Sequence, residues 1–528
     1  VHNLVSRLVI RRSEDGLGFV GERAADEHDR EFLASSDNWF RPTMLRTGPD
    51  GAVWVADMYR SVIEHPEWIP AEYQRKMDLA AGSDRGRIYR VVPDEGCCEA
   101  APPAMGAFFQ QPWDAIPLTD LVARLQSPNG WWRDLAQRIL LHRREEVCAR
   151  PELLAEVARL VGAGGGTGVQ SLATLAALAA GAPLAELEQA IAVALASEDA
   201  TLRRAAIRSA EPALARGDQA VLAQVAALAH DREPAVRLQL LLSLGEVPAA
   251  AAAAELAEAL VASTASADLR AAGMTSLTPA NVEGVVAAVC EATASAGDDA
   301  LPLVGQLLTQ AAAMGRAEGL TTQRAELLAD TTAEATAERL ALAAAVVRGG
   351  AGAEPVAAAA QAAVAAAWEI LRSVDAEAAR RVAAMELLDA AGESFAGDEL
   401  LNQLLAAQVE PAVQQAYLGV VATRGNASVL DQVFQRLPSL GPAVRRHFFD
   451  GLLARPKGAS QLVDRLADGR LTPADLDASH RNRLVAYPRD EIAARAAAVL
   501  EPAATSGRHE LVQRWQAEIA GLAGEAAA

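Results

Sequence analysis

Three segments of the sequence repeat one pattern at a fixed interval: "EDATLRRAAIRSAEPAL" from residue 198, "DREPAVRLQLLLSLGE" from 231 and "ADLRAAGMTSL" from 267. Aligned on an arginine early in each segment, Arg204, Arg237 and Arg270 stand 33 residues apart. A period of that length suits a pair of helices that cannot enclose a core alone, so each pair must bury its apolar face against the next. In the middle segment Val236, Leu240 and Leu244 share one helical face. Asp231 is placed to cap that helix, and Pro234 falls in its first turn, where a missing N–H costs little.

Helical spacing extends well beyond these three segments. In "LTDLVARLQSPNGWWRDLAQRILLHRR", Leu118, Leu121, Val122 and Leu125 form one stripe, "SPNG" interrupts it, and Leu135, Ile139 and Leu140 begin the next. From 280 to 370 the repeats blur into alanine-rich helices, and periodicity returns with "DAEAARRVAAMELLDAAG" and "DEIAARAAAVLEPAA". The stretches "VGAGGGTGV" and "VRGGAGAEP" read as flexible loops between helices. A phosphate-loop reading of "GAGGGTG" fails because no strand precedes it and no Lys-Ser/Thr follows. The pattern resembles the HEAT-repeat family of α-solenoids. That resemblance implies a mainly α chain, a right-handed superhelix of helix pairs over residues 116–503, with a terminal helix or linker over 504–528.

Residues 1–92 differ in kind. "HNLVSRLVIRR" and "LGFVGERA" flank the turn-like "SEDG", which predicts a hairpin. "PTMLRT" and "AVWVADMY" flank "GPDG", which predicts a second, with Val53 and Val55 on one face. "RGRIYRVV" supplies another strand, and "EHPEWIPAEYQRKMDL" reads as a long structured loop. Residues 93–115, rich in proline and small side chains, read as a linker.

The densest polar set also lies in this segment: His2, Arg41, Asp57, Tyr59, Arg60, Glu64 and His65. Strand ends and the loops after them are where a β scaffold presents ligand-binding groups, so His2, Arg41, Asp57, Arg60 and His65 are the candidate cofactor- or substrate-binding residues. The competing reading is structural: Asp57 caps a turn, Arg60 pairs with Glu64, and His65 orders the "HPEWIP" loop. In the helical region His142, His230, His447, His480 and His509 stand far apart, mostly beside arginine or aspartate, and read as surface histidines. No catalytic set is legible there.

Charge and cysteine content narrow the function classes. A net charge of −20 argues against a general binder of nucleic acid or anionic membrane, since both require a basic face. No apolar run of transmembrane type occurs. Cys97, Cys98, Cys148 and Cys290 form no C-x-x-C pair and no spacing suited to zinc. The adjacent Cys97 and Cys98 read as unpaired linker thiols, with a vicinal disulfide or a metal contact as the alternatives.

Residues 37–70, "DNWFRPTMLRTGPDGAVWVADMYRSVIEHPEWIP", followed by "DRGRIYRVV", resemble the end of the β-propeller in the membrane-bound dehydrogenases of planctomycetes and verrucomicrobia. Their propeller is similar to that of soluble glucose/sorbosone dehydrogenases. "SPNGWWRDLAQRILLHR" resembles the start of that family's HEAT-repeat region, and "LTPADLDASHRNRLVAYPRDEIAARAAAVL" its end. The resemblance implies that 1–92 are the last blade or blades of a propeller whose other blades lie upstream. It also implies a cytochrome c domain downstream. The C-x-x-C-H haem motif of such a domain is not among these residues, so no cofactor is expected in this chain. Haem c is expected in the further domain, and a quinone cofactor in the propeller is a further possibility that the resemblance leaves open. The same resemblance implies a periplasmic or otherwise extracytoplasmic sugar or alcohol dehydrogenase, whose other domains are this chain's first partners. The alternative is a scaffold with no redox role, binding proteins on its solenoid face. With the other blades absent, residues 1–92 are expected either to be marginally ordered or to lean on the first helices through Trp113, Trp131 and Trp132.

Overall fold

A computed structural model describes residues 3–63, 65–92, 110–181, 184–294, 297–350, 352, 354–395, 397–425, 427–500 and 514–515. It divides into two compact units, Val1–Ala292 and Thr293–Ala528.

In the first unit the amphipathic helices stack in two layers. One layer contains helices Leu118–Arg124, Pro151–Val161, Ala185–Leu195 and Gln219–Ala226, each packed against the next. The other contains Gly130–His142, Gly165–Leu178, Ala200–Ala215, Pro234–Ser243 and Ala267–Thr275, again packed in order. Helices of this second layer begin at residues 130, 165, 200, 234 and 267, so the repeat of 33 to 35 residues is a stacking distance in sequence. The fold is a HEAT-like helical solenoid. Its core lies between the layers: Leu121, Leu125, Ile139, Leu140, Val236 and Leu240 are fully buried. Each such side chain contributes about 1.5–3 kcal/mol relative to exposure.

The arginine of the repeat has a specific task. Arg133 donates to the carbonyls of Ser127 and Pro128 (2.6 and 3.0 Å), and Arg203 to those of Ser197 and Glu198 (2.8 and 3.0 Å). Arg270 donates to the Thr264 carbonyl. These helix-end carbonyls would otherwise lack donors. The inward residue is therefore Arg203; Arg204, on which the 33-residue alignment rests, is exposed. Asp231 does not cap helix Pro234–Ser243, whose N-cap is Glu233. Its Oδ1 accepts the Glu233 N–H at 2.9 Å, and its two oxygens receive a two-pronged bond from Arg203 at 2.7 and 2.8 Å. The stretch "VGAGGGTGV" is also not a loop throughout: helix Gly165–Leu178 starts inside it. Gly168 allows the close packing there, because a Cβ would stand 2.7 Å from the Val161 carbonyl oxygen.

Among the described residues, seven short strands precede these helices. β1 (Leu4–Val5) pairs antiparallel with β4 (Leu33–Ala34), and β2 (Leu8–Arg12) with β3 (Phe19–Arg23). β5 (Pro42–Thr47), β6 (Val53–Asp57) and β7 (Arg87–Val91) form an antiparallel sheet in that order. Both hairpins expected from the turn residues are present. Val55 is fully buried and Val53 half-buried on the shared face. The sheet docks on the solenoid through its Gly48–Gly51 turn. Asn129 donates to the carbonyls of Gly48 (2.9 Å) and Pro49 (3.3 Å), and the Trp132 indole donates to Pro49 at 2.8 Å. Trp131 lies edge-on to Trp132, whereas the ring contact of Trp113 is with His142. The β2–β3 turn approaches the solenoid separately, with Gly16 against Pro234 and Arg12 4.0 Å from Glu233.

In the second unit helices Leu301–Ala313, Ala337–Arg348, Ala378–Ala390, Pro411–Arg424, Pro442–Leu453 and Ala478–Val485 stack in succession. Helix stacking thus also occurs within the stretch where the sequence pattern blurs; the helix starts are spaced less evenly, at 301, 337, 378 and 411. Arg324 serves the carbonyls of Ala317, Val346 and Gly350, and burial pushes its pKa down from the ordinary value.

Candidate functional site

Pairing of Pro42 with Asp57 brings the start of β5 and the end of β6 together, so Arg41 and Asp57 share one edge of the sheet. The Asp57 carboxylate is buried, and its Oδ1 accepts the backbone N–H groups of Arg41 (2.7 Å) and Tyr59 (2.8 Å). Its Oδ2 and the Arg41 Nε are buried without a protein hydrogen-bond partner. Tyr59 follows with φ 49°, an uncommon conformation for a residue with a Cβ. Gly82 packs against that bend so closely that a Cβ would stand 2.3 Å from the Tyr59 carbonyl oxygen.

Tyr59 in turn connects three segments. Its hydroxyl donates to Asp37 Oδ2 at 2.8 Å, and its ring carries the Arg87 guanidinium at 3.9 Å and lies 5.7 Å from the Trp39 ring. The Trp39 N–H and then the Tyr59 hydroxyl hold the Asp37 carboxyl below its usual range. Asp37 and Arg87 thus complete the cluster, although no local motif in the sequence marks them. The one available signal was Asp37 two residues before Trp39, the spacing at which an aspartate accepts a backbone N–H.

The remaining candidates lie elsewhere or serve the loops. Arg60 donates its N–H to the Trp39 carbonyl (3.0 Å) and its guanidinium to the Ala80 carbonyl (2.9 Å). His65 is exposed; its Nδ1 accepts the Glu67 N–H at 3.4 Å and its carbonyl the Trp68 N–H at 2.9 Å, opening a short helical turn. No described contact joins His65 to the Asp57–Tyr59 cluster. His2, Glu64, Cys97 and Cys98 lie outside the described residues. Asp57 therefore fastens a strand end, and Tyr59 ties the loop to Asp37 and Arg87.

One histidine departs from the surface reading. His480 is buried, with Nε2 3.3 Å from Asp450 and Nδ1 3.0 Å from Asp477, against the Phe449 ring. Helix pairing across the second unit, which no local spacing reveals, encloses it. His230 is exposed, 3.4 Å from Glu258. Among the described residues no group of three or more His, Cys, Asp or Glu is arranged to hold a metal ion. No described helix is long and apolar enough to cross a membrane.

Residues 1–95 match a family described as a domain of unknown function (DUF7133). No curated protein matches the sequence. Among solved structures, the chain is similar to Kap121p at 14% identity and TM-score 0.41, over 72% of this chain and 45% of that one. It is similar to Kap121p bound to Nup53p at 14% identity and TM-score 0.37, over 72% and 44%. It is also similar to a homology model of the full-length AP-3 complex, at 11% identity and TM-score 0.21, over 76% and 95%. The chain spans less than half the length of the Kap121p structures it matches.

Proposed function

We propose that the chain is the scaffold arm of an extracytoplasmic, dehydrogenase-like electron-transfer protein, and that residues 1–92 are the end of its β-propeller. In this reading substrate oxidation and the haem belong to other domains of the polypeptide, and the helical pairs hold those domains at a set spacing. The chain by itself is not catalytic.

One observation carries the reading. Fifteen of the twenty-one exposed large apolar side chains among the described residues fall between Leu8 and Val92. They include Ile10 at 63% exposure, Phe19 at 65% and Ile88 at 70%. Apolar strand faces of this kind are stable in water when a neighbouring sheet covers them. The helical pairs leave few such side chains uncovered, which supports a spacer role for them.

Purification of the full encoded polypeptide, followed by haem absorbance and dye reduction with a panel of sugars and polyols, tests the proposal. A c-type haem spectrum and polyol-dependent dye reduction are expected. Absence of both overturns the redox part and leaves a protein-binding scaffold.

A further inference from the structure

Helices Gly165–Leu178, Ala185–Leu195 and Ala200–Ala215 enclose a surface groove of about 800 Å³. Val169, Leu184, Leu187 and Ile191 line it together with small residues such as Ala176 and Ala205. Arg208 and Arg216 stand exposed along one side. Arg216 donates only to the Pro212 carbonyl of its own helix, at 3.0 Å, and Arg208 makes no ion pair with a described residue. Arg204 is exposed one turn before Arg208. Glu188 is the single acidic residue of the lining. On a chain of net charge −20, this side of the groove is locally cationic.

We propose that this groove docks an amphipathic helix of a partner protein, with its apolar stripe in the groove and its acidic residues facing Arg208 and Arg216. The groove walls are helices whose backbone groups are largely bonded within themselves, so they offer no free strand edge to an extended peptide. An occupant must therefore satisfy its own backbone, which a helix does. The small alanine side chains in the lining let that helix approach closely, and the arginines select for carboxylates over ammonium groups. The proposal rests on the scaffold reading of the helical array but not on its redox part.

The test selects a displayed library of random twenty-residue peptides on the intact chain, with counter-selection on an Arg208→Glu, Arg216→Glu, Ala176→Trp variant. Enriched peptides are expected to combine Asp or Glu with Leu, Ile or Phe at three- to four-residue spacing. Their labelled copies should lose about tenfold or more in affinity for the variant, and should weaken as salt screens the arginines. Should Ala176→Trp disturb folding, as judged by circular dichroism, the Arg208→Glu, Arg216→Glu variant gives the same readout, since both residues are exposed. Failure to enrich any peptide, enrichment of basic ones, or equal binding to the variant overturns the proposal. Displacement of the peptides by dodecanoate with no dependence on peptide charge also overturns it, in favour of a fatty-acid site. None of these results alters the haem and dye-reduction outcome, so the two proposals fail separately.

Discussion

The β segment and the helical array bury their apolar residues to different degrees. In the array, repeated stripes meet repeated stripes, and side chains such as Leu125, Val236 and Phe448 are fully buried. In the segment before it, strands β2 and β3 are exposed along their whole length, and the sheet β5–β6–β7 buries chiefly Val55, Asp57 and the neighbouring Phe40. The array is held by packing between its repeats. The β segment is held by a few polar fastenings: Asn129 and Trp132 on the Gly48–Pro49 carbonyls, Asp57 on two backbone N–H groups, and Tyr59 on Asp37. Periodic apolar faces close a core by repetition, whereas irregular strands need a partner surface.

Substitutions at four positions test that contrast, in order of falling effect. Phe448→Ala should cost about 3–5 kcal/mol in urea unfolding, because a fully buried ring leaves a cavity among packed helices. An effect no larger than that of a surface substitution would break the contrast.

Asp231→Ala comes next, at about 3 kcal/mol, since it strands the buried Arg203 guanidinium. The pair also carries a pH signature. Burial works against the Asp231 charge, but the Arg203 guanidinium and the Glu233 N–H outweigh it, so the folded-state pKa lies below the unfolded one. The unfolded chain therefore takes up the proton first on acidification. The contribution is complete above about pH 4 and is lost as the pH falls through the folded pKa. Asp231→Asn should accordingly flatten the acid limb of a stability-versus-pH curve.

Asn129→Ala should cost about 1–2 kcal/mol, because this side chain both caps helix Gly130–His142 and fastens the Gly48–Pro49 turn. Its distinguishing mark is regional: amide exchange should accelerate in β5 to β7 more than in the helices beyond Pro151. Uniform acceleration would show that the sheet and the array are not separately held.

Phe19→Ser should change stability by less than about 0.5 kcal/mol in the isolated chain, since the ring is largely exposed. In the full polypeptide the same substitution should be clearly destabilising if another sheet covers that face. An equal, small effect in both would remove the support for a covered β surface.

Much of this architecture is legible from residue spacing. The stripe Leu118, Leu121, Val122 and Leu125 and the face Val236, Leu240 and Leu244 are buried, and both hairpins form where the turn residues predict them. Local chemistry also pointed to Asp57, at a strand end. It did not distinguish Arg203 from Arg204, because adjacent helical positions differ by about 100° and only the neighbouring Asp231 decides which one turns inward. Nor did it show that the "GAGGGTG" run opens a helix, with the Gly165 N–H bonded to Asp199 at 3.0 Å. His480 reads as a surface residue until Asp450, thirty positions away, packs against it.

Residue spacing alone sets the period, the helical faces and the division between a β beginning and a helical remainder, because these follow from the short-range geometry of helices, strands and turns. Tertiary structure alone decided which arginine is buried, which carbonyls it serves, how Tyr59 joins Asp37 to Arg87, and where a groove opens beside Arg208. Those outcomes depend on groups tens of residues apart that meet only when one helix pair stacks on the next, and no local pattern carries that distance.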